Sequence, residues 1–252
     1  MRRISVLWVL AVSLALAGCS KKASEPLDFK EVSFITKDNV TIFADYYPPS
    51  KPSPVLILLH MYGRSRQTWE PAVADWYNRG FTILSIDLRG HGQSTVKDGK
   101  EFRFTYPKSK TDNMFIDAWQ DVEAGIEYLK QYPACMTDRT LIVGASIGCS
   151  VALLAGSKLE QVRGAVLMSP GTNYLQVNSL EHIKSFAPKP LLMLSDEKES
   201  SASEQLIKAG GYKEDVHLIF PEAGHGTDMF ASKDSKKIID TIGDWLAKQF
   251  YR

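Results

Sequence analysis

The chain has 252 residues, 44% of them hydrophobic, with 30 Lys and Arg set against 29 Asp and Glu. That length supports a sizeable core, while a net charge of +1 supplies no basic field for nucleic acid. Three cysteines, Cys19, Cys135 and Cys149, form no C-x-x-C pair and no disulfide framework, so neither a stapled scaffold nor a structural zinc site is expected.

Met1-Arg2-Arg3, an almost wholly apolar run from Ile4 to Leu16 and the small pair Ala17-Gly18 have the layout of a secretory signal peptide. The run is too short to span a bilayer comfortably as a mature helix. Leu16-Ala17-Gly18-Cys19 resembles the bacterial lipobox, which implies cleavage before Cys19, a diacylglycerol thioether and an acylated new amine. Residues 1–18 are then a signal peptide, 19–28 a lipidated polar tether, and Cys19 a lipid anchor in a membrane, held by about 0.8 kcal/mol per buried methylene. Without Arg2 and Arg3 the balance is 28 basic to 29 acidic residues, so no polybasic patch assists the anchor. Ser20, rather than Asp, after the cysteine favours the outer membrane, facing the periplasm.

From residue 29 onward, short runs of Val, Ile and Leu alternate with segments of helical period. Strands are expected at Glu31–Thr36, Thr41–Tyr47, Val55–Leu59, Phe81–Asp87, Thr140–Val143, Gly164–Met168, Pro190–Leu194 and Val216–Phe220. The first two, joined through Lys37-Asp38-Asn39, form a hairpin. Trp69, Val73 and Trp76 mark one helix; Phe115, Ala118, Val122, Ile126 and Leu129 mark another behind an Asp112 cap; Ile238, Ile242, Trp245 and Leu246 mark the last. Strand-helix alternation without linker or repeat predicts one α/β domain over residues 29–252, an eight-stranded, mostly parallel sheet covered on both faces. Ligands bind such sheets at the carboxyl ends of the strands.

Directly after the strand ending at Val143 stands Gly144-Ala145-Ser146-Ile147-Gly148, a G-x-S-x-G at a strand-to-helix turn. Such a turn lifts the central hydroxyl to the sheet's rim, and its glycines leave room for strained backbone. A serine needs a base and a group that orients the base. The candidate base is His225, flanked by Gly224 and Gly226 just beyond the last strand; His217 within a strand and His182 in a polar stretch have weaker claims, and His91 in its Gly-His-Gly turn is expected in a structural role. The acid is expected after Leu194, in Ser195-Asp196-Glu197-Lys198-Glu199. Glu199 is the candidate by loop length, Asp196 the alternative and Glu197 third. Donors to an oxyanion are expected from the Ile147 N–H and from the loop His60-Met61-Tyr62-Gly63, with Tyr62 the candidate and Met61 the alternative. His60 is expected to pin that loop through its ring nitrogens.

Ser146 in GASIG, His225 in GAGHGT, the H-x-x-G loop at His60 and the Asp87-Leu88-Arg89-Gly90-His91-Gly92 turn together resemble the α/β-hydrolases of the serine-esterase kind, in their dienelactone-hydrolase-like and acyl-peptidase-like branches. The nucleophile, acid, base order is the family's too. Two departures stand out: His60-Met61 replaces the usual His-Gly, and Glu199 replaces the more frequent Asp. Ser146 in place of Cys argues against dienelactone hydrolysis itself. The resemblance implies an α/β-hydrolase fold and a serine hydrolase that cleaves small, short-acyl esters through an acyl-enzyme, with no metal and no cofactor. About twenty residues between Met168 and Pro190, including Tyr174, Leu175 and Phe186, leave room only for a minimal cap. The rivals are an exopeptidase or acyltransferase with the same triad and a non-catalytic envelope lipoprotein on the same fold. Cys135 and Cys149 are expected as free, partly buried thiols.

Overall fold

A computed structural model describes residues 27–109 and 113–250. Residues 1–18, Cys19 with most of the tether, and the expected cap Asp112 lie outside the described residues. The strands are β1 (Lys30–Ile35), β2 (Val40–Tyr47), β3 (Ser53–Leu59), β4 (Thr82–Ile86), β5 (Val96–Lys97), β6 (Lys100–Glu101), β7 (Cys135–Ala145), β8 (Val162–Met168), β9 (Leu191–Ser195) and β10 (His217–Ile219). The helices are α1 (Glu70–Asn78), α2 (Trp119–Leu129), α3 (Ile147–Lys158), α4 (Ser179–Phe186), α5 (Ser200–Gly210) and α6 (Ser235–Phe250). No described helix is long and apolar enough to cross a membrane.

These strands form one sheet in the order β10-β9-β8-β7-β3-β4-β2-β5-β6, with β1 paired to β2. From β10 to β4 every pairing is parallel, whereas β2 runs antiparallel to β4, β1 and β5. Val55–Leu59 shows why the apolar runs were legible. Val55, Ile57 and Leu59 join the core under α2, α3, α4 and α5, while Leu56 and Leu58 join the core under α1 and α6. A parallel strand covered on both faces has to be apolar at every position.

Eight strands were expected and ten are described. The two extra, β5 and β6, are two-residue strands around Asp98 (φ 51) and Gly99 (φ 73), both left-handed as a two-residue hairpin turn requires. They carry Val96, Lys97, Lys100 and Glu101, so no apolar run marks them. The second expected helix begins later than its period indicated. A 3₁₀ turn at Met114–Ile116, capped by Asn113 through a 3.1 Å bond from the Phe115 N–H, precedes α2. Of the residues between Met168 and Pro190, which leave room only for a minimal cap, α4 packs on α3, and Phe186 is wholly buried over Gly156, where a Cβ would collide with its ring. Both Cys135 and Cys149 are free and buried, more so than expected.

Candidate active site

The β7–α3 turn places Ser146 at φ 53, ψ −116, outside the regions an L-residue adopts freely. Such a residue costs of order 1–3 kcal/mol and persists where its surroundings over-determine it. Here they do. The Ser146 N–H donates to the Met168 carbonyl at 2.9 Å and its carbonyl accepts from the Cys149 N–H at 2.9 Å. A Cβ on Gly144 would collide with the Gly148 carbonyl, and one on Gly148 with the Leu59 carbonyl. Strand, turn and helix therefore close on one another only because both positions are glycine. Cys149 is turned inward, its Sγ 3.2 Å from both the Gly144 and the Met168 carbonyl oxygens, which share its one proton, and burial pushes it well above the usual thiol range.

His225 lies on the loop after β10, between Gly224 (φ 88) and Gly226 (φ 55). Its Nδ1 is 2.6 Å from Glu199 Oε1, at the end of the short 3₁₀ turn that follows β9. Among the described residues the other Glu199 oxygen, Oε2, is buried with no hydrogen-bond partner. The competing carboxylates fall elsewhere. Asp196 accepts the backbone N–H groups of Lys198 at 3.1 Å and Gly224 at 3.2 Å, bonds that hold it below the usual carboxylate range. Glu197 is exposed. Asp196 thus supports the histidine's loop by its backbone, and Glu199 holds the ring.

Among the described residues no hydrogen bond joins Ser146 Oγ to the imidazole; the two residues converge through their neighbours. The Cβ direction of Gly226 meets Ala145 Cβ at 3.4 Å and Met61 Sδ at 3.0 Å. The Gly226 N–H donates to Ser169 Oγ at 2.9 Å, one residue past the carbonyl that holds Ser146. A nucleophile-base bond that tightens only with substrate present is common in free enzymes. Ser195 and His217 make a second serine–histidine pair, 2.6 Å apart, but Ser195 has no exposed surface and offers nothing to a substrate.

His60 commits both ring nitrogens. Nε2 accepts the Leu88 N–H at 3.0 Å, which leaves the proton on Nδ1 to donate to the Met61 carbonyl at 2.8 Å. Burial, then the adjacent His91, push His60 down to about 4, so it stays neutral. The Met61 carbonyl also accepts the Arg64 N–H at 3.2 Å. Since carbonyl and N–H point oppositely across a trans peptide, pinning that carbonyl fixes the direction of the Tyr62 N–H. Among the described residues the N–H groups of Met61, Tyr62 and Ile147 donate to no carbonyl. The loop lies against the first turn of α3, where the space over Gly148 is filled by the Leu59 and His60 carbonyls.

Three contacts of this site escaped the sequence reading. Ser169, at φ 54, supports Gly226; Tyr174 packs edge-on against His225 with ring centres 6.1 Å apart; Met61 Sδ accepts from Thr227 at 3.4 Å. Only the position of Ser169, immediately past a parallel strand, carried a signal. His91 is structural, its Nδ1 donating to the Arg89 carbonyl at 3.2 Å. Among the described residues no group of three or more His, Cys, Asp or Glu is placed to hold a metal ion.

The sequence model of the serine aminopeptidase, S33, family matches residues 50–215. An acyltransferase of Aspergillus calidoustus, drtE, is 26% identical over 166 residues, 66% of this chain but 50% of its own length. A bifunctional esterase/perhydrolase of Acinetobacter calcoaceticus is 33% identical over 95 residues, 37% of this chain and 29% of its own. The chain therefore matches about half or less of these curated relatives. The esterase Pf2001 of Pyrococcus furiosus superposes with a TM-score of 0.69 at 19% identity, covering 88% of this chain and 91% of that one. Fold, family model and esterase relatives agree, and the chain belongs to the serine aminopeptidase S33 family of α/β-hydrolases.

Proposed function

We propose that this hydrolase cleaves small, short-acyl carboxylic esters through an acyl-enzyme on Ser146, with His225 as base and Glu199 as its orienting acid. The observation that carries the reading is the 2.6 Å contact between His225 Nδ1 and Glu199 Oε1, on a loop packed against the residue preceding Ser146. With Nδ1–H engaged by Glu199, Nε2 is the free base. Ser146 Oγ attacks the ester carbonyl carbon as its proton passes to Nε2. The oxyanion accepts the Ile147 and Tyr62 N–H groups, the latter aimed by the pinned Met61 carbonyl. Collapse expels the alcohol, which takes the proton from His225. Water, deprotonated by the same nitrogen, then releases the acid and restores Ser146.

An acceptor alcohol in place of water turns the same cycle into acyl transfer, a second reading that the match to an acyltransferase over two thirds of this chain favours. We place the enzyme on the outer membrane facing the periplasm, anchored by lipid on Cys19, from the order of charge, apolar run and cysteine alone. The test uses the full-length protein with a fluorophosphonate probe, peptide mass spectrometry, and Ser146→Ala as control. Labelling at Ser146 that the variant abolishes is expected, followed by turnover of a short-chain ester panel. Folded protein that takes no label refutes the triad. Product partitioning to an added alcohol decides between hydrolysis and transfer.

A further inference from the structure

Met61 follows His60 in the loop after β3, and its side chain enters the site's framework. Its Sδ accepts a hydrogen bond from Thr227 Oγ1 at 3.4 Å and sits 3.0 Å from where a Gly226 Cβ would stand. The Thr227 hydroxyl also meets that of Thr68 at 2.6 Å, and Thr227 is 5% exposed. Each hydroxyl has one hydrogen and a thioether only accepts. The arrangement that satisfies all three groups therefore runs one way, from Thr68 to Thr227 to Met61.

This relay joins the two ends of the β3–α1 connection, Met61 and Thr68, to Thr227 on the loop after β10, which stands 166 residues from Met61 in the chain. Each end bears on one half of the chemistry. Met61 supplies the carbonyl that His60 pins, and so the orientation of the Tyr62 N–H. Thr227 and Gly226 directly follow His225. Gly226 completes the fit, since any side chain there would press on the sulfur. A glycine at residue 61 would leave that gap open, and a leucine would fill it without accepting the hydroxyl. The unbranched, polarisable thioether does both.

We propose that Met61 is a positioning residue, its thioether tying the peptide that carries the Tyr62 N–H to the loop that carries His225. The inference rests on the triad reading above. Groups that act together on one transition state must hold their spacing to about 0.5 Å, and a displacement of about 1 Å costs on the order of 10²-fold in rate.

The test compares full-length wild type with Met61→Leu, Thr227→Val, Thr227→Ser and the Met61→Leu/Thr227→Val pair. The readouts are kcat and KM on p-nitrophenyl butyrate, the fluorophosphonate labelling rate and the thermal midpoint. Met61→Leu conserves volume and keeps the fold. Met61→Leu and Thr227→Val are each expected to lower kcat and the labelling rate about tenfold with KM nearly unchanged. The double variant should lose no more than either single one, because both break one link. Thr227→Ser, which keeps the hydroxyl, should restore the wild-type rate. Wild-type kcat in Met61→Leu, single losses that multiply in the double variant, or a change confined to KM would each overturn the proposal. A wild-type protein that neither labels nor turns over ester defeats the triad reading instead, so the two failures are distinguishable.

Discussion

Asp196 and Glu199, three residues apart at the end of β9, bind different parts of the same loop. Asp196 Oδ2 accepts the Gly224 N–H at 3.2 Å, and Glu199 Oε1 meets the ring of the next residue, His225, at 2.6 Å. One carboxylate positions the backbone and the other orients the imidazole, so their removal has different signatures. Glu199→Gln keeps the shape but reverses the donor-acceptor pattern at Nδ1, and kcat on a short-chain ester is expected to fall on the order of 10³- to 10⁴-fold with stability nearly unchanged. Asp196→Ala leaves the ring contact in place while freeing the Gly224 N–H, with a loss of about tenfold accompanied by a destabilisation of about 1 kcal/mol. Equal losses of kcat in the two variants would mean that the acid's role is shared.

Acid should unfold this protein in a specific window because His60 is buried neutral. Its folded pKa, about 4, lies below the unfolded value of about 6.5, so the unfolded chain binds the extra proton first as pH falls. The stability it contributes is full above about pH 6.5 and drains away toward pH 4, by about 2–3 kcal/mol at pH 4.5. His91, which burial also lowers, adds a loss of the same sign. Asp38 acts outside that window: although burial pushes it up, its bonds to Arg89 and Thr36 bring it down to about 2, and its contribution is lost only below about pH 3.8. Urea unfolding at pH 7.5 and 4.5 measures the difference, and His60→Gln should flatten it. An undiminished pH slope in that variant would assign the effect to other groups.

Two glycines of the same site separate collision from backbone preference. A Cβ at Gly148 would collide with the Leu59 carbonyl and stand 2.9 Å from the His60 carbonyl, both backbone atoms with nowhere to move. Gly148→Ala is expected to cost about 3 kcal/mol or more and to push α3 away from the loop that carries Tyr62. Gly63, at φ +70 with nothing within 4 Å, should cost only about 1–2 kcal/mol as alanine, the penalty of a left-handed L-residue. Urea midpoints of the two variants test the ranking, and a Gly148→Ala protein as stable as Gly63→Ala would contradict the packing described.

Much of this was legible in the chain because parallel strands buried on both faces cannot hide their apolar runs. All eight expected strands have counterparts, and Ser146, His225 and Glu199 fall at carboxyl ends of three of them, where an α/β sheet gathers its loops. What stayed illegible has physical causes. The hairpin β5–β6 buries little and is held by the Asp98-Gly99 turn, with no apolar run on either strand. In α4 and α5 the buried apolar positions are few, Ile183 and Phe186 in one, Leu206 and Ile207 in the other. Met61 and Thr227 stand 166 residues apart, and no local pattern announces a contact that only the closed sheet creates. The competition between Asp196 and Glu199 depended on where a three-residue turn aims its side chains, which spacing alone does not fix.

The turn beneath His60 depends on a buried arginine. Arg66 is 4% exposed, and its guanidinium reaches Asp45 at 2.7 Å, Asp87 at 2.5 Å and Glu31 at 2.5 Å, while its own N–H donates to Asp87 at 2.8 Å. Asp87 also receives the Gln93 N–H at 2.9 Å, which fixes the turn whose Leu88 N–H bonds to His60. Burial pushes the Asp45 carboxyl up against the pull of Arg66, so the ion pair offsets a desolvation cost rather than adding a free gain. Arg66→Met therefore leaves two carboxylates buried without their cation, and a loss of about 3–5 kcal/mol is expected. Arg64, two residues earlier, pairs with Asp228 at 3.1 Å with both side chains about half exposed. Arg64→Ala should cost less than about 1 kcal/mol, and less still in high salt. Urea unfolding of both variants at two salt concentrations makes the comparison. Similar losses in the two would mean that Asp45 and Asp87 find water or protons once Arg66 is gone, and that the network does not hold the turn under His60.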